Sequence, residues 1–262
     1  MILDEIVRHK KHEISELKNT YPLDKLKDDL QQFEPLRDFM KALKSTSTAD
    51  SKPINIIAEV KKASPSKGII RDDFNPVEIA KIYEENGAIA ISVLTDKKYF
   101  QGDTEYLKQI KETTSIPILN KDFIIDPYQI YQARVFGADA VLLIAAIMKD
   151  DELSDYLDLS SQLGLHALVE VHTLKELKRV LSTNAQIIGI NNRDLKSFNV
   201  NTNKSIQLAK HIPDTKTVVS ESGIDNKEII LKLQENGIDA FLIGEALMKE
   251  KDYGKKLREL LN

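Results

Sequence analysis

Gly87-Ala88-Ile89-Ala90-Ile91-Ser92-Val93-Leu94 is echoed at Gly137-Ala138-Asp139-Ala140-Val141-Leu142-Leu143-Ile144, and again at Gly237-Ile238-Asp239-Ala240-Phe241-Leu242-Ile243-Gly244. In each copy a charged, helix-like run ends at a glycine and a short apolar run begins. Glycine reaches the left-handed conformation cheaply, so it marks a helix C-terminus. A near-continuous apolar run is the pattern of a parallel strand covered on both faces. The repeat therefore reads as helix, turn, buried strand.

Working outward, the same kind of run occurs at Ile56–Val60, Ala88–Leu94, Pro117–Lys121, Ala140–Ala145, Ala167–Val171, Ile187–Asn192, Thr217–Ser222 and Ala240–Glu245. Their starts lie roughly 20–33 residues apart, room for one strand, one helix and two short loops. The intervening segments have helical spacing; Pro76-Val77-Glu78-Ile79-Ala80-Lys81-Ile82-Tyr83 carries proline in its first turn. Eight such units in a chain of 262 residues predict an α/β fold, a (β/α)8 TIM barrel. No Gly-x-Gly-x-x-Gly follows the first run, which argues against an open dinucleotide-binding sheet. The expected organisation is a single domain over 1–262. Residues 1–55 form an N-terminal helical extension and linker, and 56–262 the barrel.

In the extension, Ile2, Ile6, Ile14 and Leu17 suggest one amphipathic helix, Leu23–Phe33 a second, and Leu36–Leu43 a third after Pro35. Ser45–Pro53 reads as a polar linker. Such an extension could cap the barrel floor or shape the rim of the site, and the pattern leaves both open.

Composition narrows the partners. The net charge of −4 gives no case for nucleic acid or an anionic membrane. There is no cysteine, hence no disulfide, thiolate nucleophile or thiolate metal ligand. No apolar stretch is long enough to span a bilayer, and the charged N-terminus lacks a signal peptide's apolar core. A cytoplasmic monomer acting on a small molecule is expected.

Polar residues crowd the C-terminal ends of the runs, where barrels of this kind build their sites. Glu59 and Lys61 are two apart and share a strand face, a pattern that also fits a simple strand-end salt bridge. The Ser64-Pro65-Ser66-Lys67-Gly68 loop that follows is rich in donors. Lys121 ends the third run. Glu170 sits within the apolar fifth and needs a partner there, for which Lys61 or Lys121 would serve. Lysines facing glutamates in a partly dry pocket perturb one another's pKa values, as general acid–base chemistry requires. Asn191 and Arg193 share a face and suit hydroxyl and carboxylate recognition. Glu221-Ser222-Gly223 and Gly244-Glu245 close the last two runs, where exposed backbone N–H groups commonly receive phosphate. Glu221 and Ser222 cannot both point inward from a regular strand unless the chain bends at Gly223. The histidines, among them His172, are expected at solvated or rim positions. No metal site is expected.

Ile57-Ala58-Glu59-Val60-Lys61-Lys62-Ala63-Ser64-Pro65-Ser66-Lys67-Gly68, Ser92-Val93-Leu94-Thr95 with Tyr99-Phe100, Leu119-Asn120-Lys121-Asp122-Phe123, Gly189-Ile190-Asn191-Asn192-Arg193-Asp194-Leu195 and Ser220-Glu221-Ser222-Gly223-Ile224 together resemble the motifs of indole-3-glycerol-phosphate synthases. The leader Ile2–Val7 is similar to that family's N-terminal helix. The resemblance implies conversion of 1-(2-carboxyphenylamino)-1-deoxyribulose 5-phosphate to indole-3-glycerol phosphate, carbon dioxide and water, without a cofactor. It implies Glu59, Lys61, Lys121 and Glu170 as catalytic residues. Lys121 would polarise the ketone, Lys61 act as the later acid, Glu170 as the base, and Glu59 position the lysines; Lys61 could instead hold the substrate carboxylate. Ser64 and Arg193 would bind anionic groups, Asn191, Glu221 and Ser222 hydroxyls, Phe123 the ring, and Gly223, Gly244 and Glu245 the phosphate. Some relatives have serine at the Glu245 position.

Rival readings are a phosphoribosylanthranilate isomerase-like barrel, a class I aldolase with Lys121 as Schiff base, and a non-catalytic phosphate-ligand barrel. The lysine pair and the long leader argue against the isomerase. The non-catalytic reading leaves a buried Glu170 unexplained.

Overall fold

The computed structural model describes residues 2–30, 36–44 and 53–262. The linker up to Lys52 and the end of the second expected helix lie outside them.

Eight strands follow one another round a closed, all-parallel barrel. They are β1 (Ile56–Val60), β2 (Ala90–Leu94), β3 (Ile118–Lys121), β4 (Ala140–Ile144), β5 (His166–Val171), β6 (Ile187–Asn191), β7 (Thr217–Glu221) and β8 (Ala240–Ile243). β8 closes on β1 through Ile57↔Leu242, so no strand edge is left open. Each strand matches an expected run to within two residues at either end. The runs at β7 and β8 stop short because Ser222 and Gly244 leave extended geometry; Ser222 has φ 67°.

The repeat that opened the reading has a physical cause. Gly87, Gly137 and Gly237 have φ of 95°, 91° and 87°, each ending a helix in the left-handed region. Two residues on, the buried carboxylate of Asp139 accepts the Ile118 N–H at 2.9 Å, and the part-buried carboxylate of Asp239 accepts the Val218 N–H at 2.9 Å. Each aspartate thus ties the start of its strand to the strand before it.

Alternate residues of the apolar runs divide between two cores. Ile56, Ala58 and Val60 pack outward against the helices, while Ile57 joins Ala90, Leu119, Leu168 and Val219 inside the barrel. Both faces are apolar, which hides the period of two in the sequence. The helices are capped at their starts: Asn75, Asp126, Thr173 and Asn226 each accept a backbone N–H of the first turn.

The extension does both jobs left open above. Its helices are α1 (Ile2–Thr20), α2 (Leu23–Asp29) and α3 (Phe39–Leu43). Phe39 and Leu43 are fully buried in the inner core, plugging the floor, and Asn55 donates to the Leu43 carbonyl at 3.0 Å. Ile2, Leu3 and Ile6 line the cavity at the opposite end. Between them Ile14 and Leu26 pack on Tyr128 and Val135 of a barrel helix. α3 is shorter than expected because Arg37 is otherwise engaged: its N–H goes to Asp139 and its guanidinium to the carbonyls of Lys111, Thr114 and Ile116. Asp38 then caps the helix.

Candidate active site

A cavity of ≈ 840 Å³ opens at the C-terminal ends of the strands. All thirteen residues singled out above, from Glu59 to Glu245, line it. Strand parity explains why. Glu59, Glu170 and Glu221 alternate in phase with the inner-core residues Ile57, Leu168 and Val219, so their side chains enter the barrel.

The charges sort into two groups. Lys61 pairs with the buried Glu59 across one strand end. The Lys121 ammonium lies 3.6 Å from Glu170 Oε2 and 3.5 Å from Glu221 Oε2, so Lys121, not Lys61, is the partner Glu170 requires. Burial works against the Lys121 charge, but Glu221, Glu170 and Glu59 outweigh it and hold its pKa above the ordinary lysine value. Burial opposes ionisation of Glu170 too. Lys121, His172 and a hydrogen bond from Asn191 outweigh that and keep its carboxyl below the usual range. Glu221 goes the other way. Burial pushes it up to about 8; Lys121 pulls against this, and Glu170 and Glu59 add to it. Neither Glu221 oxygen has a hydrogen bond among the described residues. Near neutral pH the trio thus holds one ammonium, one carboxylate and one neutral acid.

Two glycines make this crowding possible. A Cβ on Gly189 would come 2.3 Å from Glu221 Oε1, and one on Gly244 would come 2.1 Å from Glu59 Oε2. A side chain at either position would thus push the glutamate carboxylate from the place it occupies. The bend that admits both Glu221 and Ser222 begins one residue earlier than expected, with Ser222 itself at φ 67° and Gly223 at 76°.

At the rim, Ser64 and Gly68 pair in a two-stranded hairpin over residues 63–69. Asn191 accepts the Arg193 N–H, while its neighbour Asn192 turns outward to Ser220 and Ser205 and is structural. Arg193, Lys67 and Lys249 all approach the Glu245 carboxylate. Phe123 stands 6.0 Å from Phe100, and with Leu142, Ile144, Ile2 and Leu3 they give the cavity an apolar wall.

Some contributors escaped the sequence reading. His172 is not at a solvated rim: its side chain is buried, 3.4 Å from Glu170 Oε1 and 3.6 Å from Glu176 Oε2. Its phase with Glu170 was the available signal. Lys10, on α1, is buried against Asp96 and Asp122, beside Lys121. Among the described residues no group of histidines and acids could hold a metal ion, and no helix is long and apolar enough to cross a membrane.

A closed barrel whose mouth gathers paired lysines and glutamates under an apolar wall defines a (β/α)8-barrel enzyme. The family model of indole-3-glycerol phosphate synthase matches residues 3–260. A synthase of that name from Alkaliphilus metalliredigens is 48% identical over 260 residues, covering 99% of this chain and 98% of its own. One from Campylobacter jejuni is 49% identical over 263 residues, covering both chains fully. The chain belongs to the indole-3-glycerol phosphate synthase family, and so to the decarboxylating lyases of tryptophan biosynthesis acting on a phosphorylated small molecule. Among solved structures, thiamine phosphate pyrophosphorylase from Pyrococcus furiosus superposes with a TM-score of 0.58 at 17% identity, covering 79% of this chain and 93% of its own. That likeness concerns the fold alone.

Proposed function

We propose that this site closes the indole ring of 1-(2-carboxyphenylamino)-1-deoxyribulose 5-phosphate with Lys121 as the first acid. The observation that carries the reading is the Lys121 ammonium between Glu170 and Glu221, at 3.6 and 3.5 Å, inside the cavity. Lys121 protonates the ketone oxygen as the ring carbon attacks the carbonyl carbon. Loss of carbon dioxide returns the C–C bonding pair to the ring system. The hydroxyl then leaves as water on a proton from Lys61, while Glu170 takes a proton from the ring-closed intermediate.

The separate Lys61–Glu59 and Lys121–Glu170 pairings support a division of labour between the two lysines. Ionised Glu170 suits a base, and neutral Glu221 suits a donor to a substrate hydroxyl, with Asn191 and Ser222 beside it. The wall around Phe123 suits the aromatic ring. Ser64 would face the substrate carboxylate, and Arg193, with the backbone at Gly223 and Gly244, the phosphate.

The test is Lys121→Met with product followed by indole fluorescence, free of tryptophan emission because the chain has no tryptophan. General acids contribute about 10²–10⁴-fold, so turnover should fall by that range. Near-normal turnover overturns the assignment.

A further inference from the structure

Glu245 is an anion standing where an anion should bind. One of its oxygens is 3.0 Å from Arg193 Nη2, and the other is 2.5 Å from Lys249 Nζ and 3.8 Å from Lys67 Nζ. All four side chains line the catalytic cavity beside Gly223 and Gly244. They come from four places in the fold: the loop after β1, the end of β6, and two positions one turn apart after β8. Three cations thus converge on one carboxylate. A phosphate at this corner needs those cations.

We infer that Glu245 is a built-in counter-anion that competes with the substrate phosphate for Arg193, Lys67 and Lys249, and so sets how tightly phosphate is held. The inference rests on the phosphate reading given above and adds a specificity role that the backbone at Gly244 cannot supply. With the corner empty, the carboxylate keeps three mutually repelling cations gathered. When a phosphate arrives, the cations share their hydrogen bonds with a second anion, and the like charge of Glu245 weakens the grip. Substrate and product both carry the phosphate, so a looser grip costs substrate affinity and speeds product departure alike. That is uniform binding, which moves KM without accelerating chemistry.

The sign of the effect separates this role from a scaffolding one. If Glu245 merely oriented Arg193 and Lys249, removing its charge would disorder them and weaken phosphate binding. If it competes, removal tightens binding.

The experiment measures inhibition by inorganic phosphate, competitive with substrate, in the wild type and in Glu245→Gln, Glu245→Asp and Arg193→Met, each checked for native circular dichroism. Glu245→Gln should lower the phosphate inhibition constant and the substrate KM by about five-fold without raising kcat, the scale of one partly screened charge. Glu245→Asp keeps the charge but draws it back from the cations, so it should lower the inhibition constant less than Glu245→Gln does. Arg193→Met should raise the inhibition constant. A constant that rises or stays unchanged in Glu245→Gln, while Arg193→Met raises it, overturns the inference and leaves the phosphate site standing. An Arg193→Met enzyme that binds phosphate as the wild type does removes the phosphate site and the inference with it.

Discussion

Replacing Lys10 by methionine tests whether the extension is electrostatically pinned to the catalytic end of the barrel. The Lys10 side chain is only 2% exposed, and its nitrogen lies 3.0 Å from each of Asp96, Asp122 and Glu13. Burial works against the charge, but Asp122, Asp96 and Glu13 outweigh it and raise its pKa above the ordinary lysine value. Methionine fills the stem but strands the acids. Asp122 keeps hydrogen bonds from Thr95 at 2.5 Å and from the Phe123 N–H at 2.7 Å. Among the described residues Asp96 keeps only the Tyr99 N–H on one oxygen, and its other oxygen has no hydrogen bond. Glu13 is partly exposed, yet the oxygen that faces Lys10 is buried and has no hydrogen bond among the described residues. Removing one partner of a buried pair costs about 3–5 kcal/mol, and the retained hydrogen bonds place this case near 4. That is a large share of the roughly 5–15 kcal/mol by which a domain is stable. Urea unfolding followed by circular dichroism should show the loss, and the thermal midpoint should fall by roughly 8–16 °C. Lys10→Met with Asp96→Asn and Asp122→Asn should recover most of the stability, since only unbalanced charge is costly. A single-variant loss below about 1 kcal/mol, the size of an exposed pair, would refute the reasoning.

Phe39→Ala should cost about 3–5 kcal/mol by emptying the barrel floor, yet spare kcat, because the plug lies at the end opposite the cavity. Urea unfolding and steady-state turnover read the two effects separately; a matching fall in kcat would argue against it. Glu221 gives a pH-dependent outcome. Folding raises its carboxyl from 4.5 to about 8, so between those values the folded chain holds a proton that the unfolded chain has lost. Stability from this group is therefore full below pH 4.5 and is lost as pH rises through about 8. Urea midpoints of Glu221→Gln should overtake those of the wild type as pH rises from 5 to 8.5, and parallel curves would contradict the raised value.

The barrel was legible because its strands are short, apolar and evenly spaced, and because Gly137-x-Asp139 and Gly237-x-Asp239 recur where one helix stops and the next strand is tied in. The site was legible where a charge interrupts an apolar run, as at Glu59, Glu170 and Glu221. Glu170 could not be matched to Lys61 or Lys121 in advance, because that depends on which strand lies next to which and how far each is staggered round the barrel. His172 was misplaced for a related reason. A histidine one step past a strand looks like rim, and only continuation of the strand's phase turns it inward to Glu170.

Lys10 marks a deeper limit. Its helix reads as an ordinary amphipathic surface helix, and two of its three partners, Asp96 and Asp122, lie more than 80 residues away, just past the ends of β2 and β3. Nothing local says that this lysine, among so many, is the buried one. Asp122 nonetheless follows Lys121 directly, so the residue that pins α1 and the proposed first acid are neighbours on one strand end. The same helix supplies Ile2, Leu3 and Ile6 to the cavity wall. A change in how α1 docks thus reaches the apolar wall through its own side chains and the Lys121 corner through Asp122. The extension is part of the active site's construction, and residues far from the chemistry in sequence can govern it.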